Sequence, residues 1–173
     1  LHAGEKEKFR KAGAKILSDA NDLKLTSLGF SNLSSQKDAS KYYAEGALLA
    51  NYQFLKYFTG GNKKSNSVTE IVVTENDISK TDFSELQILA EAVYLARDLV
   101  NEPLSYLTAE QFSKEIIGLG KKAGFKVDVF NKKKIESLKM GGLLAVNLGS
   151  KNPPTFSILE YKPAKVKNKK PLV

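Results

Sequence analysis

Phe9, Ala12, Ile16, Leu17 and Ala20 recur every three or four positions, which predicts a helix over residues 5–20 with one apolar face. Leu23 and Leu25 then alternate with lysine and threonine, the pattern of a short strand over residues 23–30. Ala39, Tyr43, Ala47, Ala50, Phe54 and Tyr57 return to helical spacing and predict a second helix over 37–58, in which Gly46 lets a neighbour approach closely. Residues 59–67 are polar, contain glycine and have no period, so they read as a loop. Consecutive Ile71, Val72 and Val73 predict a buried strand over 68–74.

The longest apolar stripe follows. Leu86, Leu89, Val93, Ala96 and Val100 share one face of a helix that Pro103 ends. Charge and composition change across it, so it reads as a connecting helix over 83–104, between an N-terminal α/β domain (1–82) and a second α/β domain that starts at 105 and runs to 173.

That second part opens on Thr108-Ala109-Glu110-Gln111, a capping box in which Thr108 accepts from the Gln111 N–H and Gln111 reaches back. Phe112, Ile116, Leu119 and Ala123 carry the helix, and Gly124 supplies the left-handed residue that ends it. Residues 125–130 alternate as a strand. Asn131 caps a short helix through 139, which Gly141 and Gly142 break, and 143–147 and 155–161 read as further strands. Strand and helix alternate throughout, which points to an α/β fold with largely parallel sheets.

Composition narrows the chemistry. The chain has 173 residues, 42% apolar and 27% charged, which is the balance of a folded protein of one or two domains. It has no cysteine, and its one histidine is His2. That excludes a thiol nucleophile and a thiolate metal site in this stretch, and leaves no internal histidine for a Ser-His-Asp triad. No apolar run reaches the roughly 18–20 residues that span a bilayer, and no signal-peptide pattern opens the chain, so a cytoplasmic protein with no membrane partner is expected. The start at Leu1, the single methionine at Met140 and the end at Pro171-Leu172-Val173 in an opening apolar strand lead us to expect part of a longer protein.

The net charge is +8, and all the excess is in the second half: residues 1–100 hold 13 basic and 13 acidic side chains, residues 101–173 hold 14 and 6. The lysines cluster at 132–134 and 162–170. Such clusters allow weak contact with nucleic acid, although a solvated lysine face is the plainer reading. Gly118-Leu119-Gly120-Lys121-Lys122-Ala123 fits the letters of a dinucleotide fingerprint but falls inside the helix already capped at Thr108, not at a strand-to-helix turn. The glycines and lysine between Gly141 and Lys151 do not have P-loop spacing. Asp128, Glu136 and Glu160 stand isolated, Glu110 is an ordinary dipole partner in a first turn, and Arg97 with Asp98 reads as a structural ion pair. Asn32-Leu33-Ser34 has the letters of a glycosylation acceptor, which a cytoplasmic location would make irrelevant. Residue types and spacing alone give an α/β chain without a visible active site.

Two longer runs say more. Ala96-Arg97-Asp98-Leu99-Val100-Asn101-Glu102-Pro103 with Tyr106-Leu107-Thr108 resembles the linker signature of the leucyl aminopeptidase family, the M17 cytosolic metallopeptidases. Met140-Gly141-Gly142-Leu143-Leu144-Ala145-Val146, then Gly149-Ser150, Pro153-Pro154 and Leu159-Glu160-Tyr161, match it in order and spacing. Glu45-Gly46-Ala47-Leu48-Leu49 and the 52–57 stretch resemble its N-terminal domain less specifically. Ser105 and Ala109 depart from the pattern, where the family has asparagine and proline.

The resemblance implies an N-terminal domain joined by a long helix to a catalytic domain. That domain holds two divalent metals, zinc or manganese, and removes N-terminal residues from peptides within a homo-hexamer. It also implies that the metals are held by lysine, aspartate and glutamate in two motifs, neither of which occurs here. No catalytic, cofactor-binding or metal-ligating residue can therefore be carried onto any position, and no metal is expected on this chain. The expected function is the non-catalytic scaffold and oligomerisation half of such an enzyme, inactive alone; the alternative is a basic nucleic-acid-binding or interaction module without catalysis.

Overall fold

The computed structural model describes residues 3–33, 36, 38–59, 61, 64–73 and 78–166. The chain divides into two compact units, residues 1–101 and 102–173. The first contains α1 (Ala3–Asp22), β1 (Ser27–Phe30), α2 (Ala39–Ala50), β2 (Glu70–Val73) and α3 (Lys80–Asn101). Strands β1 and β2 pair in parallel, with Leu28 opposite Ile71 and Phe30 opposite Val73, and α2 lies on the crossover between them. Leu17, Ala20, Phe30, Ala44, Ala47, Val68 and Leu86 form its core.

Two glycines let α1 and α2 touch backbone to backbone. A Cβ on Gly13 would lie 2.1 Å from the Tyr43 carbonyl oxygen, and one on Gly46 would lie 2.0 Å from that of Arg10. Beside this contact Arg10 Nη2 pairs with Glu45 Oε2 at 2.9 Å, and the guanidinium stacks over Tyr42.

Three expectations for this unit are corrected in extent. The first strand is only Ser27–Phe30, because Lys24 turns left-handed (φ 57°) after α1 and β2 offers four partners. Helix α2 ends at Ala50 instead of 58, because the Asn51 side chain turns away to donate to Val68 O (3.0 Å) and to accept from Asn66 Nδ2 (2.8 Å). Strand β2 alternates, Ile71 and Val73 half-buried and Val72 exposed, since its sheet is covered on one face. Residue 74 lies outside the described residues.

The second unit contains α4 (Ala109–Ala123), β3 (Lys126–Phe130), α5 (Lys132–Ser137), α6 (Gly141–Asn147) and β4 (Phe156–Glu160). Thr108 caps α4 by accepting from the Gln111 N–H (3.3 Å), and Gly124 closes it at φ 76°. Gln111 does not reach back; its amide donates to Glu115 Oε1 (2.8 Å) one turn on. Asn131 caps α5 by accepting from the Lys134 N–H (3.0 Å).

Two further expectations fail. The 143–147 segment is helical: a five-residue apolar run carries no period of its own, and with leucine, alanine and no pairing strand beside it the helix wins. Gly141 and Gly142 open that helix, while the preceding one stops at Ser137 and Lys139 turns left-handed (φ 52°). The sheets are not largely parallel either. β3 and β4 run antiparallel, Val127 opposite Leu159, because the two helices between them turn the chain without a crossover.

Candidate functional site

Polar side chains gather in several places among the described residues. At the C-terminal end of α2, the hydroxyl of Tyr94 donates to Leu48 O and the Arg97 guanidinium donates to Leu49 O. Both carbonyls belong to the last turn of α2, where a helix leaves acceptors open; Leu48 O also accepts from the Asn51 N–H (3.1 Å). Next to them Tyr52 donates to Asp98 Oδ1 (2.9 Å) and accepts from Asn101 Nδ2 (3.0 Å). Its ring stands edge-on to Tyr94 at 5.2 Å, with Arg97 over its face at 5.4 Å. Burial holds the Tyr94 hydroxyl above the ordinary tyrosine range, against the opposing pull of Arg97. Arg97 and Asp98 are therefore not a pair with each other; each reaches a different partner.

At the first turn of α2, Lys41 pairs with Asp82, which also accepts from the Ser79 hydroxyl (2.6 Å). The Lys41 ammonium, then the Ser79 hydroxyl, hold the Asp82 carboxyl below its ordinary value, and the same Asp82 bond raises Lys41. On β3, Lys126 Nζ meets Asp128 Oδ2 at 2.9 Å and is raised by that bond. In the second unit Ser113 Oγ donates to Thr155 Oγ1 (2.8 Å), whose hydroxyl donates to Ala109 O (3.1 Å), tying the start of α4 to the residue before β4.

None of these is a catalytic constellation. Among the described residues no three of His, Asp or Glu come together to hold a metal ion. The fingerprint-like Gly118–Ala123 stretch lies wholly within α4, where Gly120 serves helix–strand packing: a Cβ there would lie 2.6 Å from a Val127 methyl. Residues 132–134 form the first turn of α5, whereas His2, Ser34 and residues 167–173 lie outside the described residues. No described helix is long and apolar enough to cross a membrane. Several aromatic rings lie tilted against one another: Phe9 and Phe30 each against Tyr43, Phe54 against Tyr57, and Phe130 against Phe156.

The comparisons with known proteins cover both units. The pattern of the cytosol aminopeptidase family, catalytic domain, matches residues 94–173. A probable cytosol aminopeptidase of Chlorobium limicola is 37% identical over 94% of this chain and 37% of its own length. The namesake from Clostridium perfringens is 34% identical over 90% of this chain and 34% of its own.

The chain belongs to the cytosol aminopeptidase family.

It spans about a third of the length of these relatives. Among solved structures, the bottromycin maturation enzyme BotP in complex with Mn is 28% identical with a TM-score of 0.77, over 92% of this chain and 34% of that one. A mutant of tomato leucine aminopeptidase, 20% identical with a TM-score of 0.79 over 93% of this chain and 34% of that one, shares the fold. The cytosol aminopeptidase match begins at Tyr94, so the α3 side chains that close the end of α2 belong to the stretch shared with the family's catalytic domain. Sequence reading missed Tyr94, Gly13 and the Lys41–Asp82 pair. The signal for Gly13 was a glycine inside a helical stripe; nothing in the sequence marks a pair 41 residues apart.

Proposed function

We propose that the chain is the non-catalytic portion of a metal-dependent aminopeptidase, one that builds the N-terminal domain (1–82), the connecting helix (83–104) and the first layer of the catalytic domain (105–173). The observation that carries this reading is the alignment with cytosol aminopeptidases across nine-tenths of the chain, joined to about a third of their length. The whole protein would release N-terminal residues from peptides, with two divalent ions, zinc or manganese, polarising the scissile carbonyl and activating water. The described residues do not fit such a pair of ions, since they bring no carboxylate cluster together. No step through the metals is therefore assigned to them. Their part is to hold the fold that carries the site, and to set the geometry of a cytoplasmic homo-hexamer.

The test is hydrolysis of a leucine anilide by purified 1–173 with added manganese or zinc. The expected result is no rate above the metal-only control, with activity appearing when the chain is produced together with the remaining two-thirds of a family member. Turnover by 1–173 alone would overturn the assignment. The lysines at 132–134 on α5 would give DNA contacts that fade by about 0.15 M salt, whereas sub-micromolar binding at that salt would favour the nucleic-acid-binding alternative.

A further inference from the structure

Helix α3 is apolar on two opposite sides. Leu86 and Ala90 are buried, and Tyr94 and Arg97 on the same side reach Leu48 O and Leu49 O of α2. The opposite side carries Ile88, Leu89, Ala92, Leu95 and Ala96, all exposed, Ile88 to 67% and Leu89 to 46%. A helix on the surface of a folded protein needs one apolar stripe; a helix that is apolar on both sides belongs inside a larger body. Exposed apolar patches of this kind mark interaction surfaces.

The outer side is also shaped. Glu85, Leu89 and Val93 form one row at four-residue spacing, Ile88, Ala92 and Ala96 form a second, and the six side chains line a hollow of about 470 Å³. Rows at this spacing are the ridges that interdigitate with the grooves of another helix. Ala92 and Ala96 contribute only methyl groups, which leaves depth for a side chain the size of leucine. Among the described residues that line the hollow, Glu85 alone is charged. The aminopeptidase match points to what lies on it. The catalytic-domain pattern begins at Tyr94, inside α3, so Leu95 and Ala96 of the outer side fall within the stretch shared with that domain. The relatives are about three times as long as the part this chain matches, so most of their polypeptide is not in these 173 residues.

We propose that the outer side of α3 is the seat of a helix from the remainder of the catalytic domain. That helix lays a row of large apolar side chains over Ala92 and Ala96 and brings a lysine or arginine to Glu85. Apolar burial supplies the attraction, and the single charge fixes the direction of approach. The inference rests on the peptidase reading and adds to it the surface on which the rest of the enzyme is built.

The experiment compares 1–173 with a chimera in which 1–173 replaces the matched third of the Chlorobium limicola relative. A92C places a thiol on the outer side of α3 in a chain that has no cysteine, and K15C, on the exposed side of α1, is the control. Maleimide labelling is followed peptide by peptide by mass spectrometry. In 1–173 the two variants should react at similar rates. In the chimera A92C should react about tenfold more slowly or less, as a site reached only by local opening does, with K15C unchanged. Labelling of A92C at the free-chain rate overturns the proposal, and leucine anilide hydrolysis by the same chimera shows whether the peptidase reading falls with it. Protection of A92C in a chimera without activity upholds the seat and places the failure in the peptidase reading. A92E tests the free chain directly: 1–173 should keep its melting temperature, whereas the chimera should melt lower. A loss of stability in 1–173 would mean that the face is already used within the chain, and overturns the proposal. So would a dimer of 1–173 in sedimentation that A92E dissociates, because a second copy would then be the occupant.

Discussion

Gly13 of α1 lies against the main chain of Tyr43 in α2, with no room between them for a methyl group. The neighbour is backbone, so it cannot swing aside as a flexible side chain would. G13A is therefore expected to push the helices apart and destabilise the chain by about 3 kcal/mol, the upper range for overpacking. G46A, against the Arg10 backbone, should act alike. Urea unfolding midpoints of the two variants decide this; a G13A midpoint equal to wild type would mean the helices are not in register as described.

Arg97 supplies a donor to Leu49 O, and Tyr94 adds a second donor to Leu48 O, which also accepts from the Asn51 N–H. Y94F keeps the ring edge-on to Tyr52 and loses one neutral bond, so it should cost about 1 kcal/mol. R97A removes a charged donor as well as the cover over Tyr52 and should cost about 2 kcal/mol. The two changes share a helix end, so the double variant should fall short of their sum. Additive losses in a double-mutant cycle would contradict a joint closure.

The Lys41–Asp82 pair makes stability depend on pH with a definite sign. Asp82 titrates below its ordinary value in the folded chain. Its contribution is thus complete above about pH 4, where the unfolded carboxylate is already ionised, and is lost as pH falls through the depressed value. Lys41 is raised, so its share is complete below about pH 10 and is lost as pH rises through the raised value. D82N should flatten both limbs of a plot of unfolding midpoint against pH. An acid limb unchanged in D82N would assign it to other carboxylates.

Helix α4 depends on its two ends. T108A should cost about 1 kcal/mol through the lost cap. G124A forces a Cβ into a left-handed residue and should cost about 1–2 kcal/mol. Helicity followed by circular dichroism during urea unfolding would register both, and indifference to T108A would mean that the Thr108 oxygen carries no weight at 3.3 Å.

Much of this fold was legible because local chemistry decided it. Thr108, Asn131 and Gly124 each make a bond or adopt a φ within a few residues of themselves, and all three are where their side chains place them. The 143–147 segment was misread because five apolar residues hold too few turns to show a period. The direction of β4 against β3 and the end of α2 at Asn51 were hidden for a different reason: their partners, Phe130 opposite Phe156 and Asn51 with Val68, are remote in sequence. The family was legible from whole runs such as Ala96 to Pro103, even though spacing alone gave the residues in those runs no chemical role. Arg97 and Asp98 show why, since their partners lie nearly fifty residues away.

In the second unit the described residues include four buried positions, Ser113, Gly120, Ile135 and Pro154, and only Ile135 brings a large apolar side chain. Val146 and Leu148 are 86% and 88% exposed, and Leu159 on β4 is 52% exposed. A ribbon of two five-residue strands with so little beneath it opens locally at small cost, because local stability follows the apolar contacts that opening would break. Its amides should exchange with solvent within the first seconds, while those of α1 and α2 persist. A protease given the chain would cut first after residue 102 and leave the N-terminal helices whole.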